Sequence, residues 1–143
     1  MVATIVLGAV GVGTASAQRV SAKAPTTTVN IVVGDTTGLK GPMTMTVDPT
    51  TAPAGKVKFS VTNNGTILHE MVVIKLKGSK TFDKMPVSSN RISEAGAIGE
   101  IGNIPKGKTK SVTLKLKAGN YALVCNIAKH YGLGMRAGFT VTK

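Results

Sequence analysis

Cys125, His130 and Met135 follow one another at intervals of five residues in the stretch Cys125-Asn126-Ile127-Ala128-Lys129-His130-Tyr131-Gly132-Leu133-Gly134-Met135. A thiol, an imidazole and a thioether therefore share one short segment, while the only other histidine, His69, lies far upstream. Taken singly, these residues say little: a lone Cys is commonly a small buried hydrophobe, and a lone His a satisfied core or surface residue. Together they supply two nitrogens, one thiolate sulfur and one weak thioether sulfur. Soft sulfur holds Cu(I) and imidazole suits Cu(II), so a trigonal His, His, Cys set with a distant Met serves one copper ion in both oxidation states. That set uses every Cys and His in the chain.

Those commitments exclude other chemistry. With both histidines taken, no Ser, His, Asp constellation remains for nucleophilic catalysis, and no second cluster of metal-ligating side chains is apparent, so no enzyme is expected. At 143 residues the chain is long enough for one domain with a real core. Residues 1–17 have the make-up of a secretory signal that lacks its charged first segment: Val2 to Val12 is apolar, and Ala15-Ser16-Ala17 supplies small residues before a cleavage point. The apolar run falls short of the ~20 residues of a spanning helix. Export to a periplasmic or other extracytoplasmic space is the expectation. In such an oxidising compartment a solitary cysteine calls for a reason, and metal ligation provides one.

Net charge is +12, from 18 Lys and Arg against 6 Asp and Glu. So positive a field attracts acidic proteins or anionic membrane surfaces. Nucleic acid is not an expected partner, because aromatic residues make up only 3% of the chain and the lysines are dispersed. Many of those lysines fall out of phase with the core: Lys56 and Lys58 alternate with Val57, Phe59 and Val61, and Lys115 and Lys117 with Leu114 and Leu116.

After a polar, flexible lead-in over 18–27, seven short β-rich segments recur: Val29 to Val33, Met43 to Val47, Lys56 to Thr62, Met71 to Leu76, Ser111 to Leu116, Asn120 to Cys125 and Ala137 to Thr142. Gly, Pro, Asn and Asp punctuate them, from Gly34-Asp35 onward, which predicts an all-β Greek-key β-sandwich over 28–143. Gly78 to Pro105 has weak periodicity and reads as the long connection between the sheets, with room for one helical turn. The segment after His69 is apolar on both parities, consistent with a strand buried on both faces or with a bulge just after His69.

Over roughly 28–143 the chain resembles the cupredoxins, the type 1 blue copper proteins. The resemblance is carried by Ala54 to Gly65, by His69-Glu70, by Gly119 to Cys125 and by the loop beyond, whose Cys-x4-His-x4-Met spacing is similar to the rusticyanin and sulfocyanin type. It implies one type 1 copper with His69, Cys125 and His130 equatorial and Met135 axial. It also implies a carrier of single electrons between redox partners, with His130 as the exposed electron port; a copper chaperone, storage or copper-resistance module is the alternative. Many cupredoxins carry Asn after the first His ligand, where it ties the two ligand loops together, whereas Glu70 stands here and puts that tie in doubt. Loops of this spacing often read Pro-Gly before the second His; here Ala128-Lys129 places a cation beside the port, where Lys129 would favour acidic docking surfaces.

Glu70, Asn126, Tyr131 and Leu133 are the residues expected around the ligands, with Tyr131 and Leu133 forming an apolar rim and Gly132 and Gly134 the tight turns. Glu94 and Glu100 are further candidates for hydrogen bonds near the metal. Met43 and Met45 share one strand face, where core filling outweighs a separate Cu(I) pair. A monomer is expected.

Overall fold

The computed structural model describes residues 25–143. The signal-like segment and most of the polar lead-in fall outside the described residues. Alternation of period two sets the architecture. In β4 (Gly55–Asn63) Val57, Phe59, Val61 and Asn63 face inward, while Lys56 and Lys58 face solvent. The same logic holds in β1 (Thr26–Asp35) and β2 (Met43–Asp48), and more loosely in β9 (Thr109–Leu116). These four form one sheet in the order β2-β1-β4-β9, with β1 antiparallel to β2 and parallel to β4. β1 begins at Thr26, within the stretch expected to be flexible, because pairing opposite Lys56 and Val57 orders Thr26 and Thr27.

The second sheet runs β3-β11-β10-β5-β8, from β3 (Thr51–Pro53), β5 (His69–Lys75), β8 (Ala97–Ile104), β10 (Gly119–Val124) and β11 (Arg136–Thr142). All seven expected strands are present. The two sheets enclose one apolar core that includes Val29, Ile31, Phe59, Met71, Leu123, Cys125 and Met135, and Met43 and Met45 lie within it. Phe59 of the first sheet meets Phe139 of the second edge to face, with ring centroids 5.3 Å apart. Such a pair contributes ~0.5–1.5 kcal/mol beyond its buried area.

The long connection departs from expectation. Gly78 to Pro105 contains no helical turn; instead it holds a small hairpin of β6 (Val87–Ser88) and β7 (Arg91–Ile92), followed by the edge strand β8. Before β8 it wraps over the outer face of the second sheet. Val72, Ile74, Ala122, Val124, Ile92 and Tyr131 form a second apolar cluster there, with Phe82 and Met85 packed against it. Both readings of the segment after His69 are therefore realised at once. Met71 to Ile74 are all buried, and the pairing of β5 with β8 shifts register after His69.

Candidate metal centre

His69 opens β5, Cys125 follows the last residue of β10, and Met135 immediately precedes β11, so three of the four candidate donors sit at strand ends. The loop between Cys125 and Met135 closes on itself. Cys125 N donates to Met135 O at 3.0 Å, His130 N to Ile127 O at 3.0 Å, and Met135 N to His130 O at 3.1 Å. Gly134 is required there: its φ is +112°, and a Cβ would lie 2.8 Å from Met43 O. Gly132, expected to play the same part, has no left-handed backbone.

This closure brings His69 Nδ1 to 3.2 Å from His130 Nδ1, and His130 Nδ1 to 3.3 Å from Cys125 Sγ. One ligand atom from each of the three side chains lies within 4.8 Å of the others, and all three residues are buried. Metal bonds of about 2.0–2.1 Å to imidazole and 2.3 Å to thiolate, subtended near 100°, separate such atoms by about 3.1–3.4 Å. The spacings of His130 Nδ1 to His69 Nδ1 and to Cys125 Sγ match. Met135, 0% exposed, lies in the same core cluster as Cys125.

Burial sets the protonation states. It pushes the Cys125 thiol up to about 12, against the backbone N–H groups of Glu70 and Ile127, which favour the thiolate. Burial, aided by the neighbouring His69, pushes His130 down to about 4. The imidazole is thus neutral and ready to ligate at ordinary pH, while metal binding must displace the thiol proton.

The contact that orients His69 comes from Asp35, which the Gly34-Asp35 pair predicts to lie in a turn. Asp35, at the end of β1, accepts from His69 Nε2 at 2.9 Å, which leaves Nδ1 facing the other donors. Asp35 is itself held by Gly38 N at 2.7 Å, Thr66 N at 2.8 Å and the Thr66 hydroxyl. Burial alone would raise its pKa; the bonds from Thr66, His69 and Gly38 outweigh it and hold the carboxyl well below the usual range. Gly65 makes the approach feasible. A Cβ there would lie 2.6 Å from His69 Nε2 and would overlap Asp35 Oδ2. Asn63 shapes the same loop, donating to Ile67 O and Ile104 O at 2.8 Å each and accepting from Gly65 N at 2.7 Å.

Glu70 makes the tie that its replacement of Asn put in doubt. Its backbone N–H points at Cys125 Sγ, 3.4 Å away, and its Oε1 accepts from Asn126 N at 3.0 Å, so one residue spans both ligand loops. Half-burial, with Glu94 and Glu100 nearby, raises the Glu70 pKa despite the bond from Asn126. Asn126 fixes the loop from outside: its amide bonds Ile92 N and O and donates to Glu94 Oε1 at 2.7 Å, while Arg91 Nη1 donates to Asn126 O at 2.6 Å. Glu100 stays exposed on β8.

Two expectations about the rim change. Tyr131 is buried and acts as an anchor: its hydroxyl donates to Phe82 O at 2.7 Å and accepts from Met85 N at 3.0 Å, with Arg136 over its ring. His130, expected to be exposed, is 1% exposed. The β6–β7 turn packs against its flanks, since Lys129 N donates to Asn90 O at 2.8 Å, and Val87, Asn90, Lys129, Gly132 and Leu133 line a small surface hollow there.

A family model for copper-binding proteins of the plastocyanin/azurin family matches residues 32–142. The chain belongs to this family. Among solved structures, this cupredoxin is similar to dithionite-reduced auracyanin from the photosynthetic bacterium Roseiflexus castenholzii, with 21% identity over 80% of this chain and 97% of that one and a TM-score of 0.54. It is likewise similar to rusticyanin from Thiobacillus ferrooxidans, with 22% identity over 87% and 85% of the two chains and a TM-score of 0.57. At these identities the likeness concerns the fold. No curated protein matches the chain in sequence. The cofactor of this cupredoxin is one copper ion, for which the buried His, Cys, His cluster is suited.

Proposed function

We propose that this cupredoxin is an exported carrier of single electrons, with His69, Cys125 and His130 as equatorial ligands and Met135 as the axial one. The observation that carries the reading is the closure of the site: His69, Cys125 and Met135 are 0% exposed and His130 is 1% exposed. A catalytic metal keeps an open position for substrate, and a delivery protein must let a partner's ligands reach the ion. An electron needs neither. Copper supplies the one-electron couple; the chain's part is to hold the same donors through both oxidation states. Asp35 fixes the His69 ring, Glu70 joins the two ligand loops, and Asn126 and Tyr131 tie the outer loop to the connection that covers it. The solitary cysteine and the signal-like residues 1–17 favour a periplasmic or other extracytoplasmic location. A reversible one-electron wave in voltammetry of the copper-loaded protein is the deciding result; copper released on each reduction would favour the chaperone reading instead.

Met135→Leu is expected to keep the visible band and raise the potential, because a long axial thioether tunes the couple more than it holds the ion. Copper affinity should fall by less than the ~10–100-fold loss typical of disturbed supporting contacts. A loss as large as that of an equatorial ligand, read by metal competition, would refute the axial role.

Partner choice is assigned to Lys129. Its φ of +76° is a conformation that glycine adopts without strain and that costs other residues ~1–2 kcal/mol. The side chain is exposed beside His130, on a surface that also carries Val87, 52% exposed, and Leu133. A lysine held at a glycine-like position points to a use for its charge in docking acidic redox proteins. Lys129→Gly should leave stability within about 1 kcal/mol yet slow electron transfer to an acidic partner, and Lys129→Glu should slow it further. Both effects should vanish at high salt in stopped-flow measurements, where screening removes steering. Rates indifferent to salt and to both substitutions would show docking through the apolar residues alone.

A further inference from the structure

At the far end of β5 from the copper ligands, the long connection leaves a pocket of about 440 Å³. That volume lies within the range of small-ligand sites. Lys75, Lys77, Lys80 and Lys84 line it, together with apolar surface from Ile74, Leu76 and Met85. Among the described residues, none of the four lysines has a carboxylate within 4.0 Å, since the one contact of that kind joins His69 to Asp35. Of the two acidic residues in the connection before β8, Asp83 and Glu94, neither lines the pocket; Glu94 is committed to Asn126, and Asp83 bonds Thr81 and neighbours Lys84.

Four lysines without a salt bridge, offset only by Asp83 beside Lys84, line a concave, partly apolar wall, repel one another and focus positive potential into the pocket. A cation is excluded, and a neutral apolar molecule would leave that repulsion unrelieved. A bare inorganic anion would leave the apolar wall wet. No aromatic residue lines the pocket to stack a nucleobase.

We propose that this pocket binds an amphipathic anion, with a phosphate or carboxylate headgroup among Lys75, Lys77, Lys80 and Lys84 and a short apolar chain against Ile74, Leu76 and Met85. The site is separate from the copper centre and independent of its function. A lipid headgroup and a free amphiphile share this chemistry.

The test is calorimetric titration of the copper-loaded protein with octyl phosphate at low salt. Saturable one-to-one binding is expected. Lys80→Gln with Lys84→Gln should weaken it at least about tenfold, as lost charge-assisted contacts do. Lys106→Gln with Lys108→Gln removes the same charge at the opposite end of β8 and should change binding less than about twofold. An unchanged visible spectrum in both double variants reports that the fold is intact. Inorganic phosphate should bind at least about tenfold more weakly than octyl phosphate, since it has no apolar chain to bury against the wall. Absence of saturable binding, equal weakening by the two double variants, or equal affinity for phosphate and octyl phosphate would each overturn the proposal. Phosphatidylglycerol vesicles then distinguish the sources: binding lost only in the Lys80, Lys84 variant assigns a lipid headgroup, and octyl phosphate binding without vesicle binding assigns a free amphiphile.

Discussion

Cys125→Ser is expected to abolish the intense visible absorption of the copper-loaded protein while the sandwich remains folded. The band requires a thiolate bonded to copper, and Cys125 is the only thiol in the chain. Its Sγ lies 3.3 Å from His130 Nδ1 and faces the Glu70 N–H. A serine hydroxyl fits that space, but its shorter C–O bond draws it back from partners already 3.3 and 3.4 Å from the sulfur, and a buried hydroxyl without a good bond costs about 1–3 kcal/mol. Against a typical domain stability of ~5–15 kcal/mol, the fold survives. Absorption and circular dichroism spectra on the same sample separate the two effects. A Cys125→Ser protein that kept the band would end the copper–thiolate assignment.

Asp35→Asn is expected to weaken copper binding by about 10–100-fold, the usual consequence of removing the partner that orients a ligating imidazole. The carboxylate accepts from five donors at once: His69 Nε2, the N–H groups of Gly38, Thr66 and Ile67, and the Thr66 hydroxyl. An amide of the same shape offers one acceptor oxygen and turns an NH₂ toward donors, which leaves at least one buried N–H unpaired. Copper-free Asp35→Asn should therefore lose about 1–3 kcal/mol in urea unfolding, and Asp35→Ala more. Gly65→Ala should reproduce the metal defect by another route, pushing Asp35 and His69 apart with the carboxylate intact. Wild-type copper affinity in Asp35→Asn would show that the carboxylate supports only the loop and not the ligand.

How far the sequence could be read depended on the range of each interaction. Strands such as β4 declare themselves because lysines alternate with Val57, Phe59 and Val61 over consecutive residues. The edge strand β8 does not: Gly99 and Gly102 interrupt its pattern, and it pairs only with β5, across register shifts. The donors were legible by type, since one Cys and two His leave little choice. Their supports were legible in part: Glu70, Asn126, Tyr131 and Glu94 were expected near the ligands, but the partner of His69 was not. Asp35 sits 34 residues from His69, and only the pairing of β1 with β4 brings Asn64 and the loop beyond it to Val33, beside Asp35. One clue was available: Asp35 is among six acidic residues in a strongly basic chain, next to a glycine at the end of a strand. Glu70 put a family contact in doubt because an amide was missing, yet its carboxylate reaches Asn126 N while its own N–H faces Cys125 Sγ, which joins the two loops. The burial of His130 was invisible because the covering hairpin lies in the segment with the weakest pattern.

The placing of the first and last strands bears on how a new molecule of this protein comes to hold its metal. β1 lies between β2 and β4, and β11 lies between β3 and β10, so each sheet has a terminal segment of the described chain in its interior. Pairing β11 with β3 joins Thr140 to Thr51, a closure across most of the chain, and such distant parallel pairings form slowly. Cys125 and Met135 are fixed by the strands on either side of their loop, so the ligand set is not assembled until that last strand has docked. The complete set of four donors therefore meets copper only after strand pairing has placed both ends of the ligand loop.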